Sequence, residues 1–291
     1  MKKLQIFILC VGLSALMTSC DSFLDITPTG KVIAKTGEEY RAMLTYEYST
    51  FPEDRGLMTL RSDEMELSPV VTDPNDYDTY FDIWRWNDEA PSPTTTSPNW
   101  RRYWHVIYIA NYLIEHQNEI TGYSQAEVRQ LVGESYMLRA YCHFLLANMF
   151  AQPYTKVNPE TTRGVPVLLE ADVNAIPHCS SLKAVYDQVL ADIAEAQKYL
   201  NVEKWDEGQT YRFNVISAQA LKARVCLYKG DWQGALTAAQ EVIKQHGELE
   251  DLNASNALLP DHYKSVESIV ALEQVMTNSY KKAGTPSQQF I

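Results

Sequence analysis

Residues 215–246 read VISAQALKARVCLYKGDWQGALTAAQEVIKQH, and the fold follows from this stretch. Two helical runs, 215–229 and 232–246, meet at Lys229-Gly230-Asp231-Trp232. Small residues, Ala223 and Ala235, stand where two antiparallel helices must approach closely. One such pair cannot bury its own apolar faces, so neighbouring helix pairs must stack on it, and residues 98–150 supply candidates.

The Gly-Asp-aromatic turn, followed by Ala235-Leu236, resembles a tetratricopeptide (TPR) unit. Lys222 stands where leucine is usual, and Ala239 where an aromatic is usual. The expected fold is all-α, a TPR-like helical superhelix with long decorating loops. Upstream, the helix signals are strong. Thr36-Gly37-Glu38-Glu39 is a capping box that opens a helix to about Tyr48, and Ser124 with Glu127 opens another to about Met149. Ser97-Pro98 starts a helix carrying Trp100, Tyr103, Trp104, Ile107, Tyr108 and Asn111 at helical spacing. Ser181 caps a third long helix whose apolar face runs from Leu182 to Leu200. Residues 49–97, rich in Pro, Asp, Thr and aromatics, read as a long ordered loop region. Residues 158–177, with Gly164 and Pro166, read as an irregular connector, and 201–213 as a loop.

At the other end, Lys2 and Lys3 precede an apolar run over residues 4–17 that is too short to span a bilayer, so 1–19 read as a cleaved signal peptide. Met17-Thr18-Ser19-Cys20 resembles the bacterial lipobox, in which the cysteine is acylated. A mature chain starting at Cys20 would carry a lipid anchor, a tether over 20–35 and a folded body over 36–291. Losing the two leader lysines takes the net charge from −12 to −14. That balance argues against nucleic acid and against a basic face on anionic lipid. After Cys20, three thiols cannot complete a disulfide framework, and Cys142 and Cys226 lie in helical patterns as small apolar groups.

Cys20 followed by Asp21-Ser22-Phe23-Leu24-Asp25 resembles the C-x-x-F-L-D opening of the SusD/RagB lipoproteins of Bacteroidetes. Trp100–Asn111 (WRRYWHVIYIAN) resembles that family's first helix, with Trp104 in place of a tyrosine. Glu134–Phe150 (ESYMLRAYCHFLLANMF) resembles its E-A-x-x-L-R-A segment, and 217–236 its K-A-x-A-R-V-Y-L-Y-x-G-D-W segment, with Cys226 replacing an aromatic. The resemblance implies a surface lipoprotein of the outer membrane that captures oligosaccharides, or in some members peptides. It would deliver them to a SusC/RagA-type TonB-dependent transporter, and would bind rather than catalyse. Family members are typically longer, and Ser268–Glu273 resembles a mid-protein segment, so a fragment is expected.

Sugar recognition needs flat apolar faces for pyranose rings and planar polar groups for hydroxyls. Tyr77, Tyr80, Trp84, Arg85, Trp86 and Asn87 cluster before the first family helix and are the candidate ligand residues. In an extended segment Trp84 and Trp86 would face one side; the alternative is that one or both pin a loop to the helical body. Trp100 and Trp104, four apart on an amphipathic helix, read as packing residues. Asp73-x-Asn75-Asp76-x-Asp78 lacks the glycine and closing glutamate of a calcium loop and reads as a solvated acidic turn. The six histidines form no zinc spacing, and no cofactor fingerprint is present. Asp63 with Glu64 or Glu66 could be imagined as a glycosidase dyad, with a solvated face as the default. A TPR scaffold lipoprotein and an all-α lipid-anchored hydrolase are the competing classes.

Overall fold

The computed structural model describes residues 34–52, 55–68, 74–259, 262–272 and 283–288. The chain divides into two units, Met1–Ala34 and Lys35–Ile291, and every element named here belongs to the second. Cys20 and the residues at 21–25 lie outside the described residues. Helix accounts for 53% of the described residues, in keeping with the all-α fold expected from the sequence.

The caps read in the sequence are formed. Helix α1 (Gly37–Ser49) begins where the Thr36 hydroxyl accepts from the Glu39 N–H and the Glu39 carboxylate accepts from the Thr36 N–H. After α1 come a short helix α2 (Arg55–Thr59), strand β1 (Met65–Leu67), and helices α3 (Pro74–Trp84) and α4 (Trp100–Glu115). Helix α4 starts two residues beyond Pro98, because the Asn99 side chain caps the Arg102 N–H. Helix α5 (Gln125–Phe150) carries the second capping box, Ser124 with Glu127. Strands β2 (Arg163–Pro166) and β3 (Cys179–Ser181) precede α6 (Leu182–Tyr199), which Ser181 caps.

Helix α7 (Val215–Lys229) ends at Gly230, whose φ of 79° is the left-handed conformation that glycine adopts without a Cβ clash. Asp231 then caps α8 (Trp232–Gln245) by accepting from the Gly234 N–H. A final strand, β4 (Gly284–Pro286), pairs antiparallel with β1.

Helix α5 is the axis of the fold. It is buried on almost every side, which is the condition of a helix with neighbours all round. Helices α4 and α6 pack on α5, α7 packs on α6, and α8 packs on α7, giving the sequential stacking expected of a TPR-like array. Gly133 lets the end of α6 lie against α5: a Cβ there would stand 2.8 Å from the Leu200 backbone nitrogen.

Two buried ion pairs tie the array together. Arg139 on α5 donates from Nε and Nη2 to Asp192 on α6 at 2.9 and 2.6 Å, and from Nη1 to the Asn111 amide oxygen on α4 at 2.8 Å. Asn111 in turn donates to the carbonyls of Leu168 and Glu170, fixing the connector. One turn earlier, Glu134 accepts from both Arg41 nitrogens on α1 at 2.8 Å, from the Tyr48 hydroxyl and from Gln130. His143 accompanies the first network, with Nδ1 3.0 Å from the Arg139 carbonyl. Burial, with the nearby Arg139 charge, pushes its pKa down to about 3, so it stays neutral.

The sequence reading of 49–97 as one loop region needs correction. Tyr77, Tyr80, Phe81 and Trp84 recur at helical spacing along α3, and Pro74 occupies its first position, where the missing N–H costs nothing. Tyr80 and Ile83 from α3 join Leu60, Leu67 and Ala283 in a small apolar core of their own. Asn75, Asp76 and Asp78 are therefore in the opening turns of a helix rather than in an acidic turn. The connector at 158–177 is also more regular than read, because β2 pairs antiparallel with β3. Cys142, Cys179 and Cys226 are free thiols, the first and last buried.

Candidate glycan-binding cavity

The six candidate ligand residues do not act together. In the helix, Trp84 and Trp86 cannot share a face as they would in a strand. Tyr80 is buried in the small apolar core, and Tyr77 and Trp84 pack against that core half-buried. Arg85 turns back over the Phe81 ring, 5.2 Å from its centroid. Asn87 donates to the Asp82 carboxylate at 2.8 Å and to the Ala90 carbonyl at 2.9 Å, so it braces the loop. Of the six, Trp86 alone lines the cavity, 62% exposed with φ at 59°, a conformation bulky residues rarely adopt.

Asp82 holds that loop in place. Besides Asn87 it accepts from the Ser92 N–H at 2.6 Å and the Thr95 hydroxyl at 2.8 Å. These donors hold its carboxyl below the ordinary carboxylate range. Trp86 is thereby presented to a cavity of about 1220 Å³. That exceeds the roughly 300–1,000 Å³ of most small-molecule pockets, so an extended ligand fits better than a compact one.

The rim on the Trp86 side is a stack. The Arg61 guanidinium lies 4.9 Å from the Trp86 ring centroid and forms a two-pronged ion pair with Asp88. Another part of the lining is aromatic. Tyr186 on α6 meets Tyr154 at 4.7 Å between centroids, and Phe144 on α5 meets Tyr228 on α7 edge-on at 5.2 Å. The Tyr186 hydroxyl donates to Asn148, and burial pushes its pKa up to about 12, so it remains a neutral donor. Trp232, first residue of α8, is 65% exposed and completes the lining. Tyr186 and Phe144 are buried and back the wall, while Trp86, Tyr228 and Trp232 offer exposed ring faces flanked by planar polar groups, the chemistry that holds sugar rings.

Sequence reasoning missed Arg61, Asp88, Tyr154 and Trp232. Only Trp232 carried a local signal, a large apolar ring directly after a helix-breaking Gly-Asp. Trp100 and Trp104 form an edge-on pair at 5.2 Å, and Trp100 meets Phe150 at 4.7 Å. They pack as read, although Trp100 keeps 40% exposure. Asp63, Glu64 and Glu66 lie at and just before β1, away from the cavity lining. No group of three or more metal-ligating side chains occurs among the described residues, and none of their helices is long and apolar enough to cross a membrane.

Known proteins carry the same architecture. SusD-like protein P38 of Formosa agariphila is 28% identical over 245 residues, covering 81% of this chain and 44% of that protein. The chain thus spans less than half the length of that curated relative. Among solved structures, a putative sugar binding protein from Bacteroides vulgatus superposes with a TM-score of 0.69 at 18% identity, over 89% of this chain and 62% of that one. A laminarin binding SusD-like protein superposes at 0.61 with 23% identity, over 75% of this chain and 46% of that one. The sequence model of the SusD-like family, described as starch-binding and associating with the outer membrane, matches residues 38–227. With the stacked helices, the capped Gly230-Asp231 turn and this match over most of its length, the chain belongs to the SusD-like family.

Proposed function

We propose that this protein is a surface lipoprotein of the outer membrane, anchored through Cys20, that captures oligosaccharides without cleaving them. It would pass them to a SusC/RagA-type TonB-dependent transporter. The observation that carries this reading is the aromatic cavity, in which a fixed loop holds Trp86 exposed and whose lining also carries the exposed rings of Tyr228 and Trp232. An apolar ring kept in water by three bonds to Asp82 and a left-handed backbone has a use other than packing. The family description and the laminarin-binding relative support a glycan as the cargo.

Electrophoresis of the purified chain through gels containing polysaccharides tests the reading. Retardation without product release is the expected result, and Trp86→Ala should abolish it. Product release would point to a hydrolase, and neither effect would leave a helical scaffold. For the anchor, Cys20→Ala should move the protein from the membrane fraction to the soluble one. For the partner, co-purification with a TonB-dependent transporter is the readout.

A further inference from the structure

The wall of the cavity is opposite in sign to the chain as a whole. The sequence has 37 acidic against 25 basic residues. Yet three arginines, Arg61, Arg163 and Arg224, line the cavity, and Asp88 is the one carboxylate among its lining residues. Arg61 is committed to Asp88. Arg163 and Arg224 are both exposed, and neither has an ion pair or a side-chain hydrogen bond among the described residues.

Both arginines are carried on regular structure rather than on loops. Arg163 opens β2, whose register is set opposite Ser181 and whose approach is held by the Leu182 N–H donating to the Thr162 carbonyl at 2.9 Å. Arg224 lies within α7, which packs on both α6 and α8. Elsewhere on the surface some cations meet carboxylates, as where Lys183 and Lys229 share Asp187 and Lys264 meets Glu207, while others such as Arg101 and Lys204 stand singly among the described residues. What sets Arg163 and Arg224 apart is that both line one cavity. A guanidinium presents a rigid fork of donors that matches the paired oxygens of a carboxylate or sulfate. Neighbouring neutral hydroxyls can accept from such a fork as well, but without the charge that makes the bonds roughly twice as strong, so two unpaired forks beside a sugar-stacking wall favour a charged ligand. Repulsion from the acidic remainder of the chain is screened beyond about 8–10 Å at physiological salt, leaving the local arginines to decide the sign.

Resting on the glycan-capture reading, we infer that the ligand is an anionic glycan, bearing uronate carboxylates or sulfate esters that Arg163 and Arg224 engage. The test is calorimetric titration of the full chain with matched pairs of oligosaccharides. One pair is an oligogalacturonate and its methyl ester; another is a carrageenan oligosaccharide and its desulfated form; laminari- and malto-oligosaccharides are the neutral references. The expected result is at least tenfold tighter binding of one acidic member than of its neutralised counterpart. That binding should weaken as sodium chloride rises from about 0.05 M to about 0.5 M. Arg163→Gln and Arg224→Gln should each lose about tenfold toward the acidic member, with unfolding curves unchanged. Whether the uronate or the sulfate pair shows the difference identifies the source of the charge. Equal, salt-insensitive binding of neutral and acidic members would overturn the inference and leave glycan capture standing. Binding of no member would sink both.

Discussion

At the middle of α5, Glu134 and Arg139 are buried, and each meets partners on other helices. At its C-terminal end, where Phe144, Asn148 and Phe150 face the cavity, the nearby Arg163 and Arg224 are exposed and unpartnered. The same kind of side chain thus serves two purposes within one helix length. In the middle, an arginine is a crosslink: it has been taken out of water and must be fully compensated. At the end it remains in water, contributes little to holding the fold, and is available to a ligand.

The sharpest way to break this contrast is Asp192→Ala. It leaves the Arg139 charge buried without its bidentate partner and should cost about 3–5 kcal/mol in urea unfolding. A loss below about 0.5 kcal/mol, the range of ordinary surface substitutions, would mean the middle of α5 is no different from the cavity wall. Next is Gly133→Ala, whose new Cβ would press on the Leu200 backbone. Overpacking at that crossing should cost about 1–3 kcal/mol, read as a lower denaturation midpoint.

His143 sharpens the comparison by pH. The unfolded chain takes up a proton near the ordinary histidine pKa of about 6.5, while the folded chain refuses it until about pH 3. Stability is therefore fully present above pH 6.5 and falls by about 1.4 kcal/mol per pH unit on acidification across that window. Glu47, whose carboxyl burial pushes up, works in the opposite sense, since its protonated form is favoured in the folded state. The difference between the wild-type chain and His143→Gln, measured as unfolding free energy at successive pH values, isolates the histidine. A variant with the same pH slope would refute the assignment. The smallest effect on stability belongs to the cavity. Trp86→Gly relieves a φ of 59° and should leave stability unchanged or raised by up to about 1 kcal/mol. The same variant should lower glycan affinity at least tenfold, which separates the binding role from the folding role.

Much of the helical frame was legible from local pattern. The boxes at Thr36/Glu39 and Ser124/Glu127, the Ser181 cap and the Gly230-Asp231 turn all lie where they read. Asn111, Glu134 and Arg139 stood out as members of recurring segments, and the fold supplies their reason. Their partners were not legible, because Arg41 is 93 residues from Glu134 and Asp192 is 53 from Arg139. Helix α3 was overlooked because acidic and proline-rich composition outweighed a four-residue aromatic period that was present all along.

The candidate site was legible only in its neighbourhood. The aromatic density of 77–87 pointed to the right segment, but the helix sends Tyr77, Tyr80 and Trp84 into a small core and leaves Trp86 to the cavity. By itself the sequence determined where helices start and stop and that they must stack, since caps and turns are satisfied within a few residues and apolar stripes require partners. Which aromatic stays in water, which arginine stays unpaired and where a cavity opens were decided by tertiary structure alone. Those outcomes depend on α5, α6, α7 and β2 converging from distant parts of the chain, and no local hydrogen bond or spacing encodes that convergence.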